Sequence, residues 1–171
     1  ATYYERALIS HAKLGKIFAR KEFATGDILT LGSLQIHSFP TSHDTADPVG
    51  YVVGNGKVRL GYCTDTGKIT QLMRVRMAGC DAQILEFNHD PEMLSNGPYP
   101  LDLQQRIRSQ HGHLANATAA EFLGDVANSH LRYAVLAHLS EVNNSPDLAY
   151  VEAHSILGGY VFFLLYSFHE G

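Results

Sequence analysis

Apolar residues come along this chain in short blocks, and polar residues break each block off abruptly. Leu34, Ile36 and Ser38 alternate with Gln35, His37 and Phe39, the period of a half-buried strand. Val49–Val53 and Val58–Cys63 are further apolar runs, and Gly54-Asn55-Gly56 near their junction is a strong hairpin signal. Gly26-Asp27 and Gly32 punctuate short strands before them. Beyond Cys63 the period changes. Ile69, Leu72, Met73 and Met77 fall at helical spacing, and Gly79 ends that helix. Ala82–Phe87 reads as a buried strand, and Leu101–Ser109 as a helix stopped by Gly112. Thr118 and Glu121 form a capping box for a helix with Ala119, Phe122, Leu123 and Val126 facing inward. Tyr133–Ala137 is another strand, Ser145-Pro146 opens a helix to about Leu157, and Tyr160–Tyr166 is a last strand. At the amino end, Tyr3–Ile17 is expected to be helical, with Tyr4, Leu8 and Leu14 roughly on one face. Antiparallel strands come first, then strands alternating with helices, without repeat or linker. That order predicts a single α/β layered domain over residues 1–171 with a mixed sheet.

Composition narrows the function classes. A chain of 171 residues can bury a real core. Its formal charge of -4 provides no basic field to gather nucleic acid non-specifically. Any such contact needs a local patch or a metal. Cys63 and Cys80 lack CxxC spacing, which argues against a disulfide framework or zinc knuckle and for a reducing cytoplasm. Ala1–Arg20 is a mixed amphipathic stretch with no secretory signal pattern. Ile156–Phe168 is too short to span a bilayer, so no membrane role is expected. Ten histidines are the compositional hint of metal or acid–base chemistry.

The chemistry gathers at strand ends. The run ending at Cys63 gives way to Thr64-Asp65-Thr66-Gly67, which puts a carboxylate at the carboxyl end of a core strand, the usual ligand edge of an α/β sheet. Such a carboxylate either caps the next helix or holds a metal. His43 follows one strand and His138 ends another. Two imidazoles and a carboxylate are a normal shell for Zn²⁺, Mn²⁺ or Fe²⁺. Taken singly, His43 also reads as a turn residue and His138 as a satisfied, partly buried histidine.

"SHDTADPVGYVV", "GYCTDTG", "LEFNHDPEML", "GPYPLDLQQRI", "GHLAN" and "AHLSEVNN", in that order, resemble the metallo-β-lactamase superfamily. Its nearest branch looks like the WalJ/YycJ-like proteins, akin to ribonuclease Z and related phosphodiesterases. The likeness covers roughly Ile17 to Ala149. It implies an α/β fold, the four-layer αββα sandwich. It also implies a metal-dependent hydrolase, foremost a phosphodiesterase or nuclease using a two-metal-bound hydroxide on nucleic acid or a small phosphodiester. Carried over by residue, His43 and His138 match metal ligands and Asp65 the aspartate between two divalent ions, Zn or Mn. His113 and His89 become candidate catalytic proton donors beside Asp65, with a helix-end role and a helix-cap neighbourhood as their bland alternatives. Glu86, Asn88, Asp90, Asn116, Asn143 and Asn144 match positions typical of the branch and are expected to support the ligands and position substrate. Arg106 and Arg108 read either as a solvated helix face or as a phosphate clamp.

The superfamily's HxHxDH signature does not occur in the chain; His111-Gly112-His113 is the single HxH. The chain is therefore expected to be the carboxyl-terminal two-thirds of such a fold, incomplete at its amino end, or a member that has lost the motif. Each metal would keep about two protein ligands, few for tight binding. Fewer metals or none, an inactive remnant acting as a binding module, and hydrolysis of another bond such as a lactam or thioester remain alternatives. An open sheet edge is also expected, closed by a second copy or by a complementing amino-terminal segment.

Overall fold

The computed structural model describes residues 22–127, 129–158 and, for the backbone, 162–165. The expected helix Tyr3–Ile17 lies outside the described residues. Strands β1 (Ile28–Leu31), β2 (Leu34–Pro40), β3 (Val49–Gly54) and β4 (Arg59–Cys63) form an antiparallel meander. From β4 the sheet continues in parallel through β5 (Ala82–Glu86), β6 (Tyr133–Ala137) and β7 (Phe162–Leu165). The strand order is the chain order, β1 to β7, in a single seven-stranded sheet. The remainder of the expected strand Tyr160–Tyr166 lies outside the described residues.

Helix α1 (Gln71–Met77) connects β4 to β5. Helices α2 (Pro91–Asn96), α3 (Leu101–Arg108) and α4 (Asn116–Val126) lie between β5 and β6, and α5 (Pro146–Leu157) links β6 to β7. Parallel crossovers are right-handed. With strands laid down in sequential order, they deliver the connecting helices to one face. Burial follows from that. Val52, Gly61, Gln83 and Ala134 are in register across the sheet and buried. The next row, Tyr51, Tyr62, Ile84 and Val135, is half-buried throughout. The core joins the buried row to Met73 and Met77 of α1, to Phe122 and Leu123 of α4, and to Ala149 and Ala153 of α5. The described residues thus supply one sheet layer and one helix layer of the α/β sandwich.

Two local expectations are corrected. The helix expected to start at a Thr118–Glu121 capping box begins at Asn116, and Ala115 stands at its cap without a side-chain bond. Tertiary contacts set that start: the Asn116 backbone N–H donates to the His89 carbonyl at 2.9 Å, while its side chain pairs with Asn144. Along β2, burial climbs instead of alternating. Leu34 is exposed at the edge, whereas Ser38 and Phe39 are both buried where the strand reaches the core. The structure also adds α2, which starts because the Asp90 carboxylate accepts from the backbone N–H groups of Glu92 and Met93, with Pro91 next in line.

Candidate metal centre

The carboxyl ends of β4, β5 and β6 lie side by side and carry Asp65, Glu86 and His138. Asp65 caps no helix. The next one, α1, is capped by Thr70, whose hydroxyl accepts from Met73 N–H. The Asp65 side chain stays half-exposed, and its Oδ1 lies 3.8 Å from His43 Nε2 and 3.8 Å from His138 Nε2. Donors about 2.1 Å from a tetrahedral ion stand roughly 3.4 Å apart, so either spacing suits two ligands on one cation. Asp65 and His138 have φ of +55° and +58°, and are the non-glycine residues with positive φ among the described residues. Left-handed backbone disfavours an L side chain, and here it coincides with both strand-end candidates, the kind of strain that collects at functional sites.

Glu86 orders the imidazoles from beneath. It is fully buried. Its Oε1 accepts from His113 Nδ1 at 2.7 Å and from His138 Nδ1 at 2.6 Å. Its Oε2 accepts from the backbone N–H of Thr66 at 3.0 Å and of Leu114 at 3.4 Å. Burial pushes this carboxyl up, but the hydrogen bonds and charge of His113 and His138 outweigh it and hold Glu86 down at about 2. His43 Nδ1 lies 3.1 Å from the Gly112 carbonyl. A carbonyl and a carboxylate can only accept. The three rings therefore carry hydrogen at Nδ1, which leaves Nε2 as the ligand atom in the neutral form. Donor atoms of His43, Asp65 and His113 fall within 4.8 Å of one another, as do those of Glu86, His113 and His138. These residues fit a divalent metal centre by donor type, tautomer and spacing. Of the candidates read from the sequence, His43, Asp65, His113 and His138 come together.

His89 does not join them. It is 3% exposed, does not line the cleft beside the cluster, and its Nδ1 has no hydrogen-bond partner among the described residues. Burial holds its imidazole down at about 4. The asparagines fasten the loops. Asn116 and Asn144 exchange side-chain bonds at 2.8 and 2.9 Å. Asn144 also donates to the carbonyls of Phe87 and Asn88, and Asn88 donates to the His138 carbonyl at 3.1 Å. The Asn143 carbonyl accepts from Asp90 N–H. The two arginines separate: Arg106 bonds Asp44 at 2.6 Å through Nε, beside His43, while Arg108 bonds Ser95.

Sequence reading missed Thr66 and Gly67. The Thr66 hydroxyl accepts from Ser42 N–H, and Gly67 N–H donates to the Ser42 carbonyl at 2.7 Å. A Cβ on Gly67 would stand 2.3 Å from the Ser109 carbonyl oxygen. This turn is clamped between the His43 loop and the His113 loop; the glycine in Thr-Asp-Thr-Gly was the available signal.

Residues 2–139 match the family model described as the β-lactamase superfamily domain. The chain is 38% identical over 135 residues to the exodeoxyribonuclease YycJ of Bacillus anthracis, covering 79% of this chain and 51% of that protein. It is 33% identical over 148 residues to the exodeoxyribonuclease WalJ of Streptococcus pneumoniae, covering 85% of this chain and 55% of that one. The chain thus spans about half the length of these curated relatives. Among solved structures, the metallo-β-lactamase fold protein YhfI of Bacillus subtilis superposes with a TM-score of 0.63 at 19% identity, over 82% of this chain and 51% of that one.

Proposed function

Since the chain belongs to the β-lactamase superfamily, on its WalJ/YycJ-like branch, we propose that it carries the metal-binding edge of a phosphodiesterase acting on nucleic acid. The observation behind this reading is Asp65 Oδ1 standing 3.8 Å from both His43 Nε2 and His138 Nε2. That placement lets the carboxylate work with either imidazole. His43 and Asp65 would hold one ion and His138 and Asp65 a second, with Zn²⁺ or Mn²⁺ suited to the N/O donors. Divalent ions there would polarise the phosphoryl group and lower the pKa of water. The chain's own part is orientation and proton handling. Gly112 and Glu86 lock the rings, and His113, which lines the cleft with its Nδ1 on Glu86, is the group assigned to pass a proton to the leaving oxygen. His89 is left out of this assignment because it is buried and does not line the cleft.

One sheet and one core among the described residues support treating the chain as one domain. The half-buried row Tyr51, Tyr62, Ile84 and Val135 is where a complementing segment or a second copy would pack. Among the described residues no helix is long and apolar enough to cross a membrane. Among the described residues Cys63 and Cys80 form no disulfide, which suits the reducing cytoplasm read from the sequence. The test is elemental analysis after loading with Mn²⁺ or Zn²⁺, together with hydrolysis of bis-p-nitrophenyl phosphate. Wild-type chain should retain metal and Asp65→Ala should lose it. Equal metal content in the two would sink the assignment.

A further inference from the structure

A second cleft, of about 460 Å³, opens at the amino ends of β4 and β5, opposite to the metal centre. It falls within the roughly 300–1,000 Å³ usual for ligand sites. Gln35, Gly54 and Arg59 stand in register across β2, β3 and β4, and all three line it. His37 and Val52 line it from the next row on the same face, the row that continues into Gly61 against Met77 of α1. The cleft therefore lies on the helix-bearing face of the sheet, beside the last turn of α1. Arg59 begins β4 and Asp65 follows its end, so roughly 20 Å of extended chain separates the two sites.

Three cationic side chains from separate segments meet there: Lys57 of the β3–β4 hairpin, Arg59 of β4 and Arg76 of α1. One carboxylate, Asp81, lines the cleft with them, and its Oδ2 already accepts from the Arg59 backbone N–H at 2.7 Å. Among the described residues none of the three cations makes an ion pair, whereas Arg74 of the same helix pairs with Asp125 and Arg106 with Asp44. Arg59 donates through Nη1 to the Ala78 carbonyl and through Nη2 to the Arg76 carbonyl, each at 3.3 Å, which fixes its guanidinium as one wall. Arg76 Nε is shut off from water and has no hydrogen-bond partner among the described residues, and an orphaned donor of that kind marks a place for an acceptor. The negative end of α1 favours cations in its last turn, which accounts for Arg59 and Arg76 being there. It accounts neither for Lys57 on the hairpin nor for the Arg76 donor without an acceptor. A carboxylate presents two oxygens in one plane, whereas donors converging from three segments suit the several oxygens of a phosphate. We propose that this cleft binds the phosphate group of a small molecule, with Arg76 and Lys57 on its oxygens and Arg59 held rigid beside them. The site does not depend on the phosphodiesterase reading, since no residue of the imidazole cluster takes part.

NMR titration of the isotope-labelled chain, dialysed free of divalent metal, tests the site. Inorganic phosphate and adenosine 5′-monophosphate are added in separate arms at constant ionic strength. Both should shift the Arg76 Nε–H signal and the backbone amides of Lys57, Gly79 and Asp81 saturably, leaving those of Asp65 and His138 in place. Equal affinity would identify free phosphate as the ligand, and tighter binding of the monophosphate a nucleotide; either result supports the site. Arg76→Gln and Lys57→Ala should each weaken binding about tenfold. Asp81→Asn keeps an acceptor for Arg59 and removes the opposing charge, so it should tighten binding about threefold, a gain that a purely structural Asp81 would not give. Absence of saturable shifts with both ligands would overturn the proposal. So would shifts that sodium chloride reproduces at the same ionic strength, shifts confined to the Asp65 and His138 edge, or folded Arg76→Gln and Lys57→Ala variants that bind as wild type does.

Discussion

Glu86→Gln is the most informative change, because it keeps size and removes one acceptor from a group with no slack. Wild-type Glu86 accepts from two imidazole Nδ1 atoms on one oxygen and from two backbone N–H groups on the other. Glutamine has one oxygen and one NH₂. If the oxygen stays with the imidazoles, the NH₂ faces the Thr66 and Leu114 N–H groups, donor against donor. If the amide flips, the NH₂ faces both Nδ1 atoms and drives the rings to carry hydrogen at Nε2, so the metal-ligand lone pairs are lost. A buried donor left unsatisfied costs about 1–3 kcal/mol, so either outcome should destabilise the fold by roughly 2–4 kcal/mol. Loss of an outer-shell carboxylate also lowers metal affinity about 10- to 100-fold. Urea denaturation and titration with Mn²⁺ against a chelator give the magnitudes, and imidazole nitrogen NMR gives the tautomers. The pH dependence has a fixed sign. Glu86 is held at about 2 in the fold against an ordinary 4.5. Its contribution is thus complete above 4.5 and lost as pH falls toward 2, and the gap between wild type and variant should narrow in that window. Unchanged tautomers, metal affinity and stability in Glu86→Gln would refute the reasoning.

Three further predictions concern the rest of the site. Burial holds His89 at about 4 against 6.5. The unfolded chain therefore binds the extra proton between those values, and stability should fall by about 3 kcal/mol as pH drops from 6.5 to 4. In His89→Phe that part of the urea-midpoint profile should flatten; an unchanged slope contradicts it. A Cβ at Gly67 would meet Ser109 O at 2.3 Å and Gly112 N at 2.5 Å, both backbone. Gly67→Ala should therefore cost about 1–3 kcal/mol and shift the ring-proton NMR signals of His43 and His113, while resonances that stay in place would argue against the clamp. Because Asp65 sits at φ +55°, Asp65→Gly should melt higher than Asp65→Ala, with about 1 kcal/mol between them, though both lose metal. Equal melting would mean that the turn is not strained.

The sheet was legible in the sequence because its strands come as short apolar runs, and because glycine or polar residues mark their ends. Asp65 and His138 stood out in the sequence as polar residues ending apolar runs and His43 as a loop residue just after a strand. Which residue orients which imidazole was not. Glu86 reaches His113 and His138 across 27 and 52 positions, and no local period encodes such a pairing. The start of α4 failed for the same reason. Thr118 and Glu121 satisfy a local capping rule, but Asn116 is fixed by His89 and Asn144, partners brought in by the fold. His89 was readable either as a proton donor or as a neighbour of a helix cap; Asp90 beside it does cap α2, while its own backbone bridges to Ala115 and its ring is buried, a burial that no local pattern encodes.

The arrangement also says where a deficit in metal binding would originate. Flexible donors bind weakly because ordering them opposes binding. Here the ordering is already present in the protein: every Nδ1 of His43, His113 and His138 is engaged by an acceptor, and Gly67 and the asparagine pair pin the loops that carry them. Two of the proposed ligands, Asp65 and His138, hold left-handed backbone without glycine, a conformation kept only where the surroundings impose it. Weak affinity in this chain would therefore reflect the number of donors, since the sequence has no HxHxDH, and not their disorder. It follows that a fragment supplying that motif should raise metal affinity while leaving the ring tautomers of His113 and His138 where they already stand. A tautomer change on complementation would show instead that the back half of the site is assembled by its missing ligands.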